Sequence, residues 1–174
     1  VCDAYRIISG ADIALANGGG IRTQKFAGDL TYGDIADILP YDNNVWVVEA
    51  KGATIQQLLE ECTANLPLED GYFPQVSGLR FTARVAGHTV TDVEVLNRQT
   101  GQYEPLDMDR TYTIATIDYC VTGGGFYYVL KDCHVVERTD RLYRDVFVEF
   151  LEKNLGGHIS NDYLEPQGRI RVIH

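Results

Sequence analysis

No run of apolar residues in this chain approaches the roughly 20 that a membrane-spanning helix needs. Histidine is sparse. His88, His134, His158 and His174 fall in no H-x-H or H-E-x-x-H spacing, so the sequence offers no metal-ligand cluster. Cys2, Cys62, Cys120 and Cys133 form no C-x-x-C pair and are too few for a disulfide framework, which leaves buried or free thiols as the expectation. Positive charge is short as well: 15 Lys and Arg against 25 Asp and Glu give a formal net charge of −10. That balance argues against a surface for DNA or RNA, although a few local arginines could still hold a small anion. Also missing are an initiator methionine and any stretch laid out as a signal peptide. Val1 to Ile8 reads as the second half of an amphipathic helix without a cap, so the numbering is expected to start inside a longer protein.

What is present is the composition of a soluble globular protein, 45% apolar and 23% charged, in 174 residues that suffice for one domain with a real core. Ala11 to Asn17 reads as a short apolar strand that enters a glycine-rich turn. Thr31-x-x-Asp34 has the form of a capped helix start, with Ile35, Ile38 and Leu39 on one face and Pro40 as its stop. Val45 to Ala50 reads as a buried strand. Thr54-x-x-Gln57 is a capping-box pattern, and Ile55, Leu58, Leu59 and Cys62 follow at the spacing of one buried helical stripe. Arg80 to Val85 and Val90 to Leu96 alternate in polarity around Gly87-His88, which predicts a hairpin. Thr111 to Ile117 is a further strand. Residues 140–155 hold the longest predicted helix, ended by Gly156-Gly157, and Arg169 to Ile173 reads as a last strand. Helices and strands mix irregularly rather than as βαβ units, so the expected fold is α+β, a single domain over residues 1–174.

Chemistry gathers at two glycine clusters. In Asn17-Gly18-Gly19-Gly20-Ile21-Arg22 the glycines allow a ligand close to the backbone, and successive amides there can form an anion nest. Asn17 offers a donor and an acceptor, and Arg22 a planar cationic fork suited to phosphate. The plainer alternative is a tight turn with a surface-paired arginine. The second cluster, Gly123-Gly124-Gly125, follows Asp118-Tyr119.

The string N-G-G-G-I-R resembles the signature of the C-terminal domain of the 5'-nucleotidase family, which includes UDP-sugar hydrolases and 2',3'-cyclic nucleotide phosphodiesterases. Thr31 to Ile35 with Leu39-Pro40-Tyr41, Val48 to Gly52, Gln75-Val76-Ser77-Gly78-Leu79, and Asp109 to Tyr112 leading to Asp118-Tyr119 continue the likeness over nearly the whole chain. The resemblance implies that the domain binds the nucleoside part of a nucleotide, with the base between Tyr41 and Tyr119. Asn17 would then contact the nucleoside, Arg22 the phosphate end, and Gly19, Gly20 and Gly124 would give close approach. It further implies that no cofactor sits in this chain. Two divalent metal ions and the hydrolytic chemistry would belong to a separate N-terminal metallophosphoesterase domain, the expected partner. A location that is extracellular, cell-surface or periplasmic follows from the resemblance alone, and a homodimer is compatible with it.

One departure stands out. Where the family often places an aspartate that accepts ribose hydroxyls, this chain has Gly124-Gly125-Phe126. Asp118 is a candidate substitute acceptor, and equally a turn residue that ends a strand. Three readings therefore stay open: a nucleotide-binding domain, the same fold with another phosphoester or a sulfur ester as substrate, and a degenerate domain for packing or dimerisation. Asp107 and Asp109 are read as solvated turn residues.

Overall fold

The computed structural model describes residues 1–22, 28–163 and 165–174. Two mixed sheets organise them, with helices packed on both, and the architecture is α+β as expected.

The larger sheet has the order β3-β1-β7-β2-β8. Strand β1 (Ile13–Asn17) is buried at every position, which puts both of its faces in the core. It pairs antiparallel with β3 (Pro74–Ser77) and parallel with β7 (Thr111–Ile117). Strand β2 (Asn44–Lys51) runs antiparallel to β7, so its first residues lie beside the last of β7: Val45 faces Ile117. This register brings the loop after β1, the loop after β7 and the loop before β2 to one end of the sheet.

The smaller sheet, β6-β5-β4-β9, contains the expected hairpin of β4 (Leu79–Arg84) and β5 (Thr89–Leu96). Gly87 and His88 turn it, both at positive φ. Strand β6 (Tyr103–Pro105) lies on one edge, and β9 (Ile170–Ile173) pairs parallel with β4 on the other.

Helix α1 (Cys2–Ser9) packs on α5 (Tyr143–Lys153), and α3 (Gly52–Thr63) touches both sheets through β2, β3 and β5. The predicted stripe of α3 is the buried one, with Ile55, Leu58 and Leu59 at 0% exposure. Its predicted start is corrected. Thr54 is not the cap: the helix begins at Gly52, where the amides of Gly52 and Ala53 donate to the carbonyls of Arg110 and Met108 at 2.9 and 3.0 Å. Those carbonyls satisfy the first orphan donors, so no side-chain cap is needed.

Helix α2 (Tyr32–Ile38) starts with the expected capping box. Thr31 Oγ1 accepts the Asp34 amide at 3.2 Å, and Asp34 Oδ2 accepts the Thr31 amide at 2.7 Å. The helix expected over residues 140–155 is shorter, and α3 exceeds it by one residue, 12 against 11. Residues 140–142 belong instead to β8 (His134–Leu142), whose pairing with β2 wins over helical propensity. The four cysteines are free thiols, three of them buried.

Candidate functional site

At the sheet end where β1, β7 and β2 meet, a cleft of about 470 Å³ opens, within the range of small-molecule sites. Asn17, Gly19, Gly20, Tyr41 and Tyr119 all line it. These residues come from three separate stretches of the chain, brought together by the parallel β1–β7 and antiparallel β2–β7 pairings.

Asn17 is the last residue of β1 and is 9% exposed. Among the described residues, its Oδ1 accepts only a weak contact from the Cys120 thiol at 3.8 Å. A Cβ on Gly20 would lie 3.1 Å from that oxygen, so glycine there leaves the amide its room. Gly19 answers a different demand. Its amide donates to the Gly71 carbonyl at 2.7 Å, and an added Cβ would come within 3.0 Å of the Gly71 backbone. Of the two readings of this turn, an anion nest and a tight turn, the second is the one seen. The amides of Gly18, Gly19, Ile21 and Arg22 donate to the carbonyls of Phe73, Gly71, Gly18 and Ile38, so they hold the turn rather than face a ligand.

Tyr41 and Tyr119 are 48% and 43% exposed, an arrangement that leaves large apolar area in water unless something covers it. Among the described residues, no ring contact joins one to the other. The Tyr119 phenol is pushed above its ordinary pKa, by burial first and then by the neighbouring Tyr72 and other groups. Gly124 does not line the cleft but supports it. Its amide donates to the Tyr119 carbonyl at 2.8 Å, and a Cβ at that position would lie 2.4 Å from the Tyr119 ring.

Arg22 is exposed and stands outside the cleft wall, with Nη1 donating to the Gly19 carbonyl at 3.4 Å. Asp118 is spent on the fold. One carboxylate oxygen accepts the Asn44 amide at 3.1 Å and its Nδ2 at 3.3 Å, and the other accepts the Tyr119 amide at 2.8 Å. The carboxylate thus ties the start of β2 to the short helix α4 (Asp118–Val121).

The sequence reading missed Tyr72, which lines the cleft together with Gly71. The only local signal is the turn Asp70-Gly71-Tyr72, where Asp70 Oδ1 accepts the Tyr72 amide at 2.9 Å. Asp42 also lines the cleft, but its carboxylate is paired with Arg144 at 2.6 Å. Among the described residues, no group of three or more His, Cys, Asp or Glu is placed to hold a metal ion.

The family model described as "5'-nucleotidase, C-terminal domain" matches residues 1–132, and the chain belongs to that family. It is 32% identical over 168 residues to the trifunctional nucleotide phosphoesterase protein YfkN of Bacillus subtilis, a match over 95% of this chain and 11% of that protein. The NAD 5'-nucleotidase of Haemophilus influenzae is 32% identical over 126 residues, covering 69% of this chain and 21% of the relative. Among solved structures, a 5'-nucleotidase precursor from Thermus thermophilus superposes with a TM-score of 0.87 at 32% identity, over 99% of this chain and 34% of that one. The chain therefore spans from about a tenth to a third of the length of these relatives.

Proposed function

We propose that this chain is the substrate-binding part of a metal-dependent nucleotide phosphohydrolase, and that its cleft holds the nucleoside. The observation that carries this reading is the placement of two half-exposed tyrosines, Tyr41 and Tyr119, in one cleft with the nearly buried amide of Asn17. Stacking on an aromatic face contributes about 1–3 kcal/mol per base and accepts any base. Asn17 supplies the donor and acceptor that fix orientation. In this reading Arg22, just outside the cleft on the same glycine turn, meets the anionic end of the ligand.

In this reading the water-activating metals and the bond-breaking step belong to a metallophosphoesterase domain that partners this one. The nucleotide phosphoesterase and 5'-nucleotidase names of the relatives support it, and the location inferred with it is extracellular or periplasmic. A second reading, an altered phosphoester substrate, is favoured by one feature: the carboxylates of Asp42 and Asp118 are already engaged.

Calorimetric titration of the 174-residue chain with adenosine, AMP and glycerol phosphate tests the proposal. Adenosine and AMP should bind and glycerol phosphate should not, and Tyr119→Ala should weaken adenosine by about 1–3 kcal/mol with the melting temperature unchanged. A folded chain that binds neither adenosine nor AMP overturns the nucleoside assignment.

A further inference from the structure

Tyr72 completes the cleft in a way that neither glycine cluster announces. It is half-buried, and its ring lies edge-on to Phe126, with centroids 4.6 Å apart and planes at 86°. Phe126 in turn meets Tyr128 edge-on at 5.7 Å. Gly125 and Phe126 both sit at positive φ, +62° and 61°, a conformation that is rare for a bulky residue such as phenylalanine. The ring contacts hold that loop in place. The Tyr72 backbone is fixed as well, through its amide on Asp70 and its carbonyl, which accepts the Tyr127 hydroxyl at 3.2 Å.

The consequence falls on Gly125. A Cβ built there would lie 2.9 Å from Tyr72 Cδ1, 3.3 Å from Tyr72 Cε1 and 3.5 Å from Tyr119 Cε1. The Tyr72 ring thus occupies the space into which a side chain at position 125 would project. What a ligand meets beside Tyr119 is a phenol and not a charged acceptor. Among the described residues the Tyr72 hydroxyl has no hydrogen-bond partner, and it is not a buried orphan either.

We propose that Tyr72 is the specificity-determining residue of this cleft: its ring is a third aromatic wall that excludes a carboxylate at position 125, so the sugar is held by apolar contact with little reading of its hydroxyls. The inference rests on the nucleoside reading above. A site rejects a ligand that lacks a hydroxyl when its own polar group is left unpaired, and an aromatic wall leaves little to unpair.

Titration of the chain with adenosine and with 2'-deoxyadenosine tests this. The unaltered chain should bind both within about threefold, because no charged acceptor is left unpaired. Tyr72→Ala should weaken both by about fivefold or more through lost stacking, while Tyr72→Phe keeps the ring and the affinity. Gly125→Asp alone should weaken both nucleosides, since the new side chain must displace the ring; aspartate tolerates the left-handed backbone. In Tyr72→Ala/Gly125→Asp the carboxylate has room, and adenosine should be favoured over 2'-deoxyadenosine by about tenfold or more. Unchanged binding in Tyr72→Ala, full-strength binding in Gly125→Asp, or a double variant no more selective than Tyr72→Ala each overturns the inference and leaves the nucleoside reading standing. If the unaltered chain binds neither nucleoside, both fall together.

Discussion

The hydroxyl of Tyr143 accepts the backbone N–H of Tyr41 at 2.9 Å. The next residue completes the grip: Arg144 Nη1 donates to the Tyr41 carbonyl at 3.0 Å and Nη2 to Asp42 at 2.6 Å. Two successive residues of α5 thus hold both polar groups of the Tyr41 backbone, while its ring stays in the cleft. Tyr143→Phe removes the acceptor with almost no change of shape and leaves the Tyr41 amide without that partner. Urea unfolding should show a loss of about 1–2 kcal/mol. Adenosine affinity should fall in parallel, and a variant that binds adenosine as before would show that α5 does not position this ring.

Gly52 opens helix α3, where alanine ordinarily stabilises by about 1 kcal/mol over glycine. Here the sign should reverse. A Cβ at position 52 would lie 2.1 Å from the Asp107 carbonyl oxygen, and that same loop supplies the carbonyls that satisfy the first amides of the helix. Gly52→Ala should therefore cost about 2 kcal/mol or more, as forced overpacking does. Chemical denaturation reads the sign directly.

Asp3 is the anchor of a partly buried polar group. Its Oδ2 accepts from Arg169 at 2.8 Å, its Oδ1 accepts from Ser77, and Arg6 Nε donates to the same Ser77 hydroxyl at 2.7 Å. Burial alone would raise the Asp3 pKa, but the hydrogen bonds from Arg169 and Ser77 outweigh it and hold the carboxyl below its ordinary range. A carboxyl depressed in the folded state stabilises fully above its unfolded pKa of about 3.9. That contribution is lost as pH falls below this point toward the folded value. Asp3→Asn should flatten this part of the acid dependence and cost about 3 kcal/mol at neutral pH. Urea melts at neutral pH and on either side of that carboxylate range give both quantities.

The chain by itself should release no phosphate from AMP, UMP or 2',3'-cyclic AMP with added Mn²⁺, Zn²⁺ or Co²⁺. The reason is the donor set: among the described residues, no cluster is placed to bind such an ion. Turnover that persists through repurification would place catalysis inside these 174 residues.

Features set by local periodicity or punctuation were legible in the sequence. The α3 stripe, the Thr31–Asp34 capping box and the β4–β5 hairpin are of this kind, and so are Asn17, Tyr41 and Tyr119, each beside a glycine or proline turn. What was illegible depends on distant partners. The start of α3 is set by carbonyls of residues 108 and 110. Strand β8 is exposed and charge-rich, and only its register against β2 identifies it. Tyr72 follows an ordinary Asp-Gly turn, and it gains meaning because Gly71 packs on Gly19 and Gly125 lies under its ring. The spent amides of the first glycine turn are the same case, since their acceptors lie on Phe73, Gly71 and Ile38.

No contiguous stretch of this chain contains the cleft; residues 17–20, 41–43, 71–72 and 117–119 meet only once β1, β7 and β2 have paired. A ligand held there is bound by the native state and not by the unfolded chain, so occupancy acts as a folding energy. At a hundred times its dissociation constant such a ligand adds about 2.7 kcal/mol to global stability. Because the sheets share one contiguous core, that protection extends beyond the loops to hydrogen exchange and proteolysis at β4 and β9, in the sheet that does not form the cleft.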